Sequence, residues 1–192
     1  MKILLNLKNK ENENVFILDV NEVDNYGSTP LTIAAELGHI EIVKLLLNHP
    51  DIKPNYALKN GSSLHLAVLQ DNVEMIKVML ESNKFDPNLK NQSSFTPLHI
   101  AAYLNQPESI RVLCDCTKNY GVDVNCLDET GQSPLAMSIE SGDVESVKAF
   151  LQSGREFDLD HKNSEKLNLI EIAQRNGNEE IIQMLDDYVK KH

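Results

Sequence analysis

The chain has no tryptophan, and aromatic residues make up only 5% of its 192 positions. A core so poor in large rings has to be built from Leu, Ile, Val and Ala, which suits closely packed helices. Only three cysteines are present, at 114, 116 and 126. An odd number with no framework spacing excludes a disulfide scaffold, and Cys114 and Cys116 stand too close for an ordinary bridge. Reduced thiols in a reducing, cytoplasmic compartment are the expectation. No apolar run reaches the roughly 18 residues that a membrane-spanning helix requires, so no membrane insertion is expected. The opening MKILLNLKNKENE lacks the apolar length and small-residue cleavage site of a secretory leader. Basic charge is in deficit: 18 Lys and Arg stand against 29 Asp and Glu, for a net charge of −11 and a pI near 4.9. A nucleic-acid binder needs a basic face against phosphate, and these totals offer none. Solubility accounts for the acidity, and attraction of a basic partner is its sharper reading.

Signatures of chemistry are missing as well. There is no glycine-rich phosphate loop, no G-x-S-x-G and no H-E-x-x-H. The three cysteines have no fourth ligand at a sensible spacing, and structural zinc takes four. Neither a catalytic residue, a metal site nor a cofactor is expected. An enzyme would need a convergent nucleophile, base and oxyanion donor, and the chain displays no such set.

What the chain does contain is repetition. STPLTIAA at 28–35, GSSLHLA at 61–67, SSFTPLHIAA at 93–102, QSPLAMSI at 132–139 and, more weakly, LNLIEIA at 167–173 are versions of one phrase. Anchored on Leu31, Leu64, Leu98, Leu135 and Ile170, they are spaced 33, 34, 37 and 35 residues apart. Ten residues after each anchor comes a glutamate: Glu41, Glu74, Glu108, Glu145 and Glu180. A period of this length denotes an array of stacked units.

Each unit has a physical reading. Thr29, Ser62, Thr96, Ser133 and Asn168 are residue types that cap helix N-termini. Pro30, Pro97 and Pro134 then occupy the first helical position, where a missing N–H costs nothing. The short helix stops at Gly38, Asp71, Asn105, Gly142 or Gly177, types that tolerate a left-handed cap. A second helix follows, apolar at intervals of three and four, with the recurrent glutamate set against the dipole at its start. Polar stretches such as DVNEVDNYG at 19–27 and VDVNCLDETG at 122–131 join the units as hairpin-like loops. An Asn or Asp recurs in each loop, at 21, 55, 88, 125 and 160. Ala34–Ala35 and Ala101–Ala102 let neighbouring first helices approach closely, so that stacking makes one continuous core.

These residues resemble the ankyrin repeat family, whose signature is T-P-L-H-x-A with a 33-residue period. The resemblance runs over about residues 19–190. It implies an all-α solenoid of helix–turn–helix units joined by hairpin-like loops. Five units are expected, at 24–56, 57–90, 91–127, 128–162 and 163–192, behind an N-terminal cap at 1–23 that reads as a half repeat. Departures occur at Ser63, in place of proline, at Ser93–Ser94, in place of an Asp-Gly turn, and at Lys166, in place of glycine. The third unit holds extra length, 108 to 125 against 41 to 55 between glutamate and asparagine. That length predicts either a longer second helix or a bulged loop within 114–123. By the resemblance, His65 and His99 tie adjacent loops by hydrogen bonds and perform no chemistry.

The resemblance further implies a non-catalytic protein–protein interaction module, monomeric, that binds a protein partner through a concave groove of loop tips and first helices. A secreted microbial effector, or its recognition portion, acting on a host protein in the host cytosol is the alternative. The expected contact residues are Tyr26, Leu37, Leu58, Leu69, Phe95, Tyr103 and Leu104. They follow from the two positions that end each first helix, which are apolar in the first three units and polar in the last two (Glu140–Ser141, Arg175–Asn176). The tips agree, with Tyr26, Leu58 and Phe95 early and Glu129, Thr130 and Gln132 in the fourth unit. An exposed apolar patch with a polar rim marks interaction sites.

Overall fold

The structure is a computed structural model that describes residues 19–56, 59, 61–115, 117–118 and 120–191. The expected cap formed by residues 1–18, the proposed contact Leu58 and Cys116 lie outside the described residues. Among the described residues five helix pairs follow one another: α1 (Pro30–Glu36) and α2 (Ile40–Leu47), α3 (Ser63–Leu69) and α4 (Val73–Glu81), α5 (Pro97–Tyr103) and α6 (Pro107–Leu113), α7 (Pro134–Ser141) and α8 (Val144–Leu151), α9 (Leu169–Asn176) and α10 (Glu179–Lys191). The odd-numbered helices pack side by side in one layer and the even-numbered ones in a second, so each pair packs chiefly against its neighbours. This is the expected all-helical solenoid.

Local chemistry sets the boundaries. The N-caps of the five first helices are Thr29, Ser62, Thr96, Ser133 and Asn168, all in extended backbone. Each first helix ends against a left-handed residue: Gly38, Asp71, Asn105, Gly142 and Gly177 have φ between 50° and 75°. That reversal turns the chain straight into the second helix. The three stops that are glycine meet this backbone without strain, whereas Asp71 and Asn105 accept it as short polar residues do. Ala34, Ala35, Ala67, Ala101 and Ala102 are buried to within a few per cent, and they let the first helices lie against one another. The core between the layers is aliphatic: Leu31, Leu64, Leu98, Leu135, Val43, Ile76, Ile110 and Val147 are fully buried. Each such side chain contributes about 1.5–3 kcal/mol on leaving water, and the continuity of the cluster along the array joins the units into one cooperative body.

The extra length of the third unit is in the loop. Helix α6 has seven residues and is shorter than α2 and α4, so a longer second helix is not what accommodates it. Cys114 caps α6, and an Asx turn follows in which Asp115 Oδ1 accepts from the Thr117 backbone N–H at 2.9 Å and hydroxyl at 2.6 Å. The last helix differs from the other second helices in the other direction. Helix α10 runs 13 residues, beyond the unit's usual length. Its added turn carries Tyr188, whose hydroxyl donates to the Arg155 carbonyl at 3.0 Å and accepts from the Phe157 N–H at 3.3 Å. The Tyr188 ring also packs on Phe157, which meets Phe150 edge-on.

Candidate functional site: the first-helix face and loop tips

The face is built from loop tips and the exposed side of the first helices. Among the described residues, four tips are each organised by one side-chain oxygen. Asp24 Oδ1 accepts from the N–H groups of Tyr26 and Ser28, both at 2.9 Å. Asn91 does the same for Ser93 and Phe95, Asp128 for Thr130 and Gln132, and Asn163 for Glu165 and Leu167. The tips therefore hold their outward residues in fixed positions, which lowers the entropic cost of using them in contacts.

Asparagines then align one loop with the next. Asn21 donates to the Asp51 carbonyl and accepts from the Lys53 N–H, both at 2.8 Å. Asn55 spans to Lys84 and Asp86, Asn88 to Gly121 and Asp123, and Asn125 to Glu156 and Asp158. This two-bond bridge is the physical meaning of the asparagine found once per loop. Asp160 ends the series.

His65 and His99 are structural ties. The Nδ1 atom of His65 accepts from the Ser62 N–H at 3.0 Å, which leaves its Nε2–H to donate to the Phe95 carbonyl at 3.1 Å. His99 repeats this with the Thr96 N–H at 3.3 Å and the Gln132 carbonyl at 3.2 Å. Both rings are fully buried. Burial holds both imidazoles below their ordinary pKa, and the carbonyl bonds offset this only in part. Gly61 belongs to the first tie. At φ +107° it lies so close to the His65 ring that an added Cβ would meet ring carbon at 2.4 Å. Residue 95 of the third unit is instead Phe, stacked on His99 with centroids 5.8 Å apart.

Of the anticipated contacts, five are exposed: Tyr26 (89%), Tyr103 (66%), Leu37 (62%), Leu69 (42%) and Leu104 (41%). Phe95 is half-buried between His99 and Tyr103, 6.2 Å from the latter ring, and serves as the base on which Tyr103 stands. Helical spacing adds a floor that the sequence reading passed over. Ile33, Leu66, Ile100 and Met137 lie three or four residues before the exposed pairs and so share their face. Each is two positions after its anchor leucine, which was the available signal. All four are buried or partly buried.

The polar members at the helix ends staple neighbours together. Gln70 Nε2 donates to the Glu36 carbonyl at the end of α1. Asn176 Nδ2 reaches the Ile139 and Glu140 carbonyls at 2.7 and 2.8 Å, and the Ser141 hydroxyl bonds Asn105 at 2.9 Å. Arg175 sits between Glu140, at 2.8 Å, and Glu165, so the face of the last two units is an ion network.

Cys114 and Cys126 are free and buried. Burial pushes the Cys114 thiol up to about 12 and also raises Cys126, so neither is a ready thiolate. Among the described residues, no group of three or more His, Cys, Asp or Glu could hold a metal ion. No described helix is long and apolar enough to cross a membrane.

Comparison with known proteins agrees with this architecture. The chain is 31% identical over 88% of its length to transient receptor potential cation channel subfamily A member 1 of Homo sapiens, covering 15% of that protein. It is 32% identical over 71% of its length to the Saccharomyces cerevisiae protein named "Probable 26S proteasome regulatory subunit p28", covering 59% of it. Inversin of Canis lupus familiaris is 28% identical over 88% of the chain, which spans 16% of that relative. The chain thus spans less than two thirds of the length of each of these relatives. The family model for ankyrin repeats in three copies matches residues 1–57, 52–122 and 117–191. With matches along its whole length and the capped helix pairs described above, the chain belongs to the ankyrin repeat family, whose repeats in general mediate protein–protein interaction.

Proposed function

We propose that the chain is a binding module whose protein partner docks across its first three repeats, on the first-helix face. Repeats of this family are generally non-catalytic, and the side chains fit that role: the buried histidines and thiols are occupied in packing and loop ties. The observation that carries the reading is the row of exposed apolar side chains at the ends of α1, α3 and α5, namely Leu37, Leu69, Tyr103 and Leu104, with Tyr26 at a tip. Tyr and Leu left exposed beside an apolar floor lose water on docking, and aromatic side chains dominate binding energy in such patches. Tyr26 and Tyr103 are the anchors, with Phe95 supporting the second.

The test is a Leu69→Ala, Tyr103→Ala double variant, chosen because both side chains are exposed and their removal leaves the fold intact by circular dichroism. Affinity capture with quantitative mass spectrometry is run beside the parent chain. At least tenfold lower recovery of one or more captured proteins is the expected result. Equal recovery of every captured protein overturns the proposed face.

A further inference from the structure

The charges around the apolar row, and the repeat spacing beneath it, bear on the kind of segment that fits. This step rests on the docking face just proposed. At the first-repeat end stand Glu36, beside Leu37, and Asp24; at the fourth-repeat tip stand Asp128 and Glu129. None of these carboxylates has a cationic partner within ion-pair distance among the described residues, whereas Glu140 and Glu165 share the single positive charge of Arg175. Glu129 accepts from the Ser94 hydroxyl, at 3.0 Å. Lys59, at the second tip, and Lys90, whose Nζ donates to the Leu127 carbonyl at 2.7 Å next to Asp128, are exposed and offset part of this charge. The face is thus an apolar row with a negative group at each end, on a chain whose net charge is −11.

Spacing selects the partner's backbone. Neighbouring first helices pack about 8–10 Å apart. Seven residues of α-helix rise about 10.5 Å and return to nearly the same face. An extended strand covers that step in about three residues, and its period of two then points successive anchors to opposite sides. From the first repeat to the fourth is three steps, about 25–30 Å, or about 18 helical residues.

We infer that the occupant is one amphipathic helix of a partner protein, about 18 residues long, with an apolar stripe at its centre and Lys or Arg at both ends. The central stripe lies on Leu37, Leu69 and Tyr103. The basic ends lie against Glu36 and Asp24 on one side and Asp128 and Glu129 on the other.

The experiment is selection of a random 18-residue peptide display library on the full chain, followed by fluorescence anisotropy with enriched peptides. Expected are apolar residues at a spacing of seven with basic termini, and binding at least tenfold weaker to Leu69→Ala, Tyr103→Ala. Binding to Glu36→Gln, Glu129→Gln should be at least threefold weaker in low salt, with that difference gone at about 0.5 M salt. Enriched peptides with neutral or acidic ends, or a period of two, overturn the inference while leaving the docking face in place. Peptides sensitive to the carboxylate changes but not to the apolar ones overturn the docking face itself. No enrichment above that on the Leu69→Ala, Tyr103→Ala variant overturns the inference. So does a concentration-dependent dimer in light scattering that the same variant abolishes, since the occupant would then be a second copy.

Discussion

Repeats two and three differ from repeats four and five in how the same fold is held. The earlier pair uses a buried imidazole in each unit to reach the carbonyl of the next loop, and leaves Leu69, Tyr103 and Leu104 exposed. The later pair has Ala136 and Glu171 where the histidines stand. Its tips are joined partly by His161, whose Nε2 lies 3.2 Å from the Gly131 carbonyl. Glu171 closes its capping box locally, on the Asn168 N–H at 2.8 Å. Its exposed helix ends are occupied by Glu140, Arg175 and Asn176, which bond to one another and to backbone. One backbone design therefore supports two kinds of surface, one satisfied within the chain and one left for contact.

The largest effect should come from where along the array a charge is buried. Ala101 and Ala173 are both buried, but Ala101 lies between two neighbouring units and Ala173 lies in the last described one. An unpaired buried carboxylate costs several kcal/mol. Ala101→Asp should abolish the helical circular dichroism of the whole chain, while Ala173→Asp should remove only the fraction belonging to α9 and α10. Equal losses would refute nearest-neighbour coupling.

Next in size is the glycine that makes room for the first histidine tie. Gly61→Ala should destabilise by about 2–3 kcal/mol, because the methyl group collides with a buried ring and the backbone is left-handed. Gly131→Ala, where nothing lies closer than 3.5 Å, should cost only about 1 kcal/mol. Urea unfolding of the two variants measures the difference, and comparable values would remove His65 from the explanation.

The histidines also set a pH dependence. Both are lowered in the folded chain from the ordinary 6.5, chiefly by burial. Around His99, Asp128 and Asp123 act to raise it and Lys90 to lower it. The unfolded chain therefore takes up protons first as pH falls. Stability is complete above about pH 6.5 and declines below it, towards the lowered folded values, by at most about 1.4 kcal/mol per pH unit for each ring. Replacing both with Asn should flatten that decline between pH 6.5 and 5, read by urea titration at each pH. An unchanged slope would assign the acid sensitivity to carboxylates instead.

The smallest effect is expected at the ion network of the later repeats. Arg175→Ala removes exposed pairs that salt already screens. Its melting temperature should match the parent's at high salt and fall only slightly at low salt. A large loss at both would mean that the network is part of the fold.

Much of this was legible before any coordinates. The five N-caps, the five left-handed stops and the anchor leucines are local instructions, each acting within one helical turn, so their spacing alone names the units. The amphipathic pattern likewise separates the buried side of each helix from its exposed ends. Other features depend on atoms about 30 residues away and carry no local mark. The recurrent asparagines are visible in the chain, but their purpose appears only when the next loop brings a carbonyl and an N–H within 3 Å of Asn21 or Asn88. Phe95 reads as a free aromatic until stacking places it on His99. Glu140 reads as free charge until Arg175 of the following repeat closes on it. Repetition and capping were determined by sequence because they are short-range. Which side chains remain unsatisfied at the surface was decided by tertiary structure, because satisfaction is a property of a pair and the partner belongs to the neighbouring repeat.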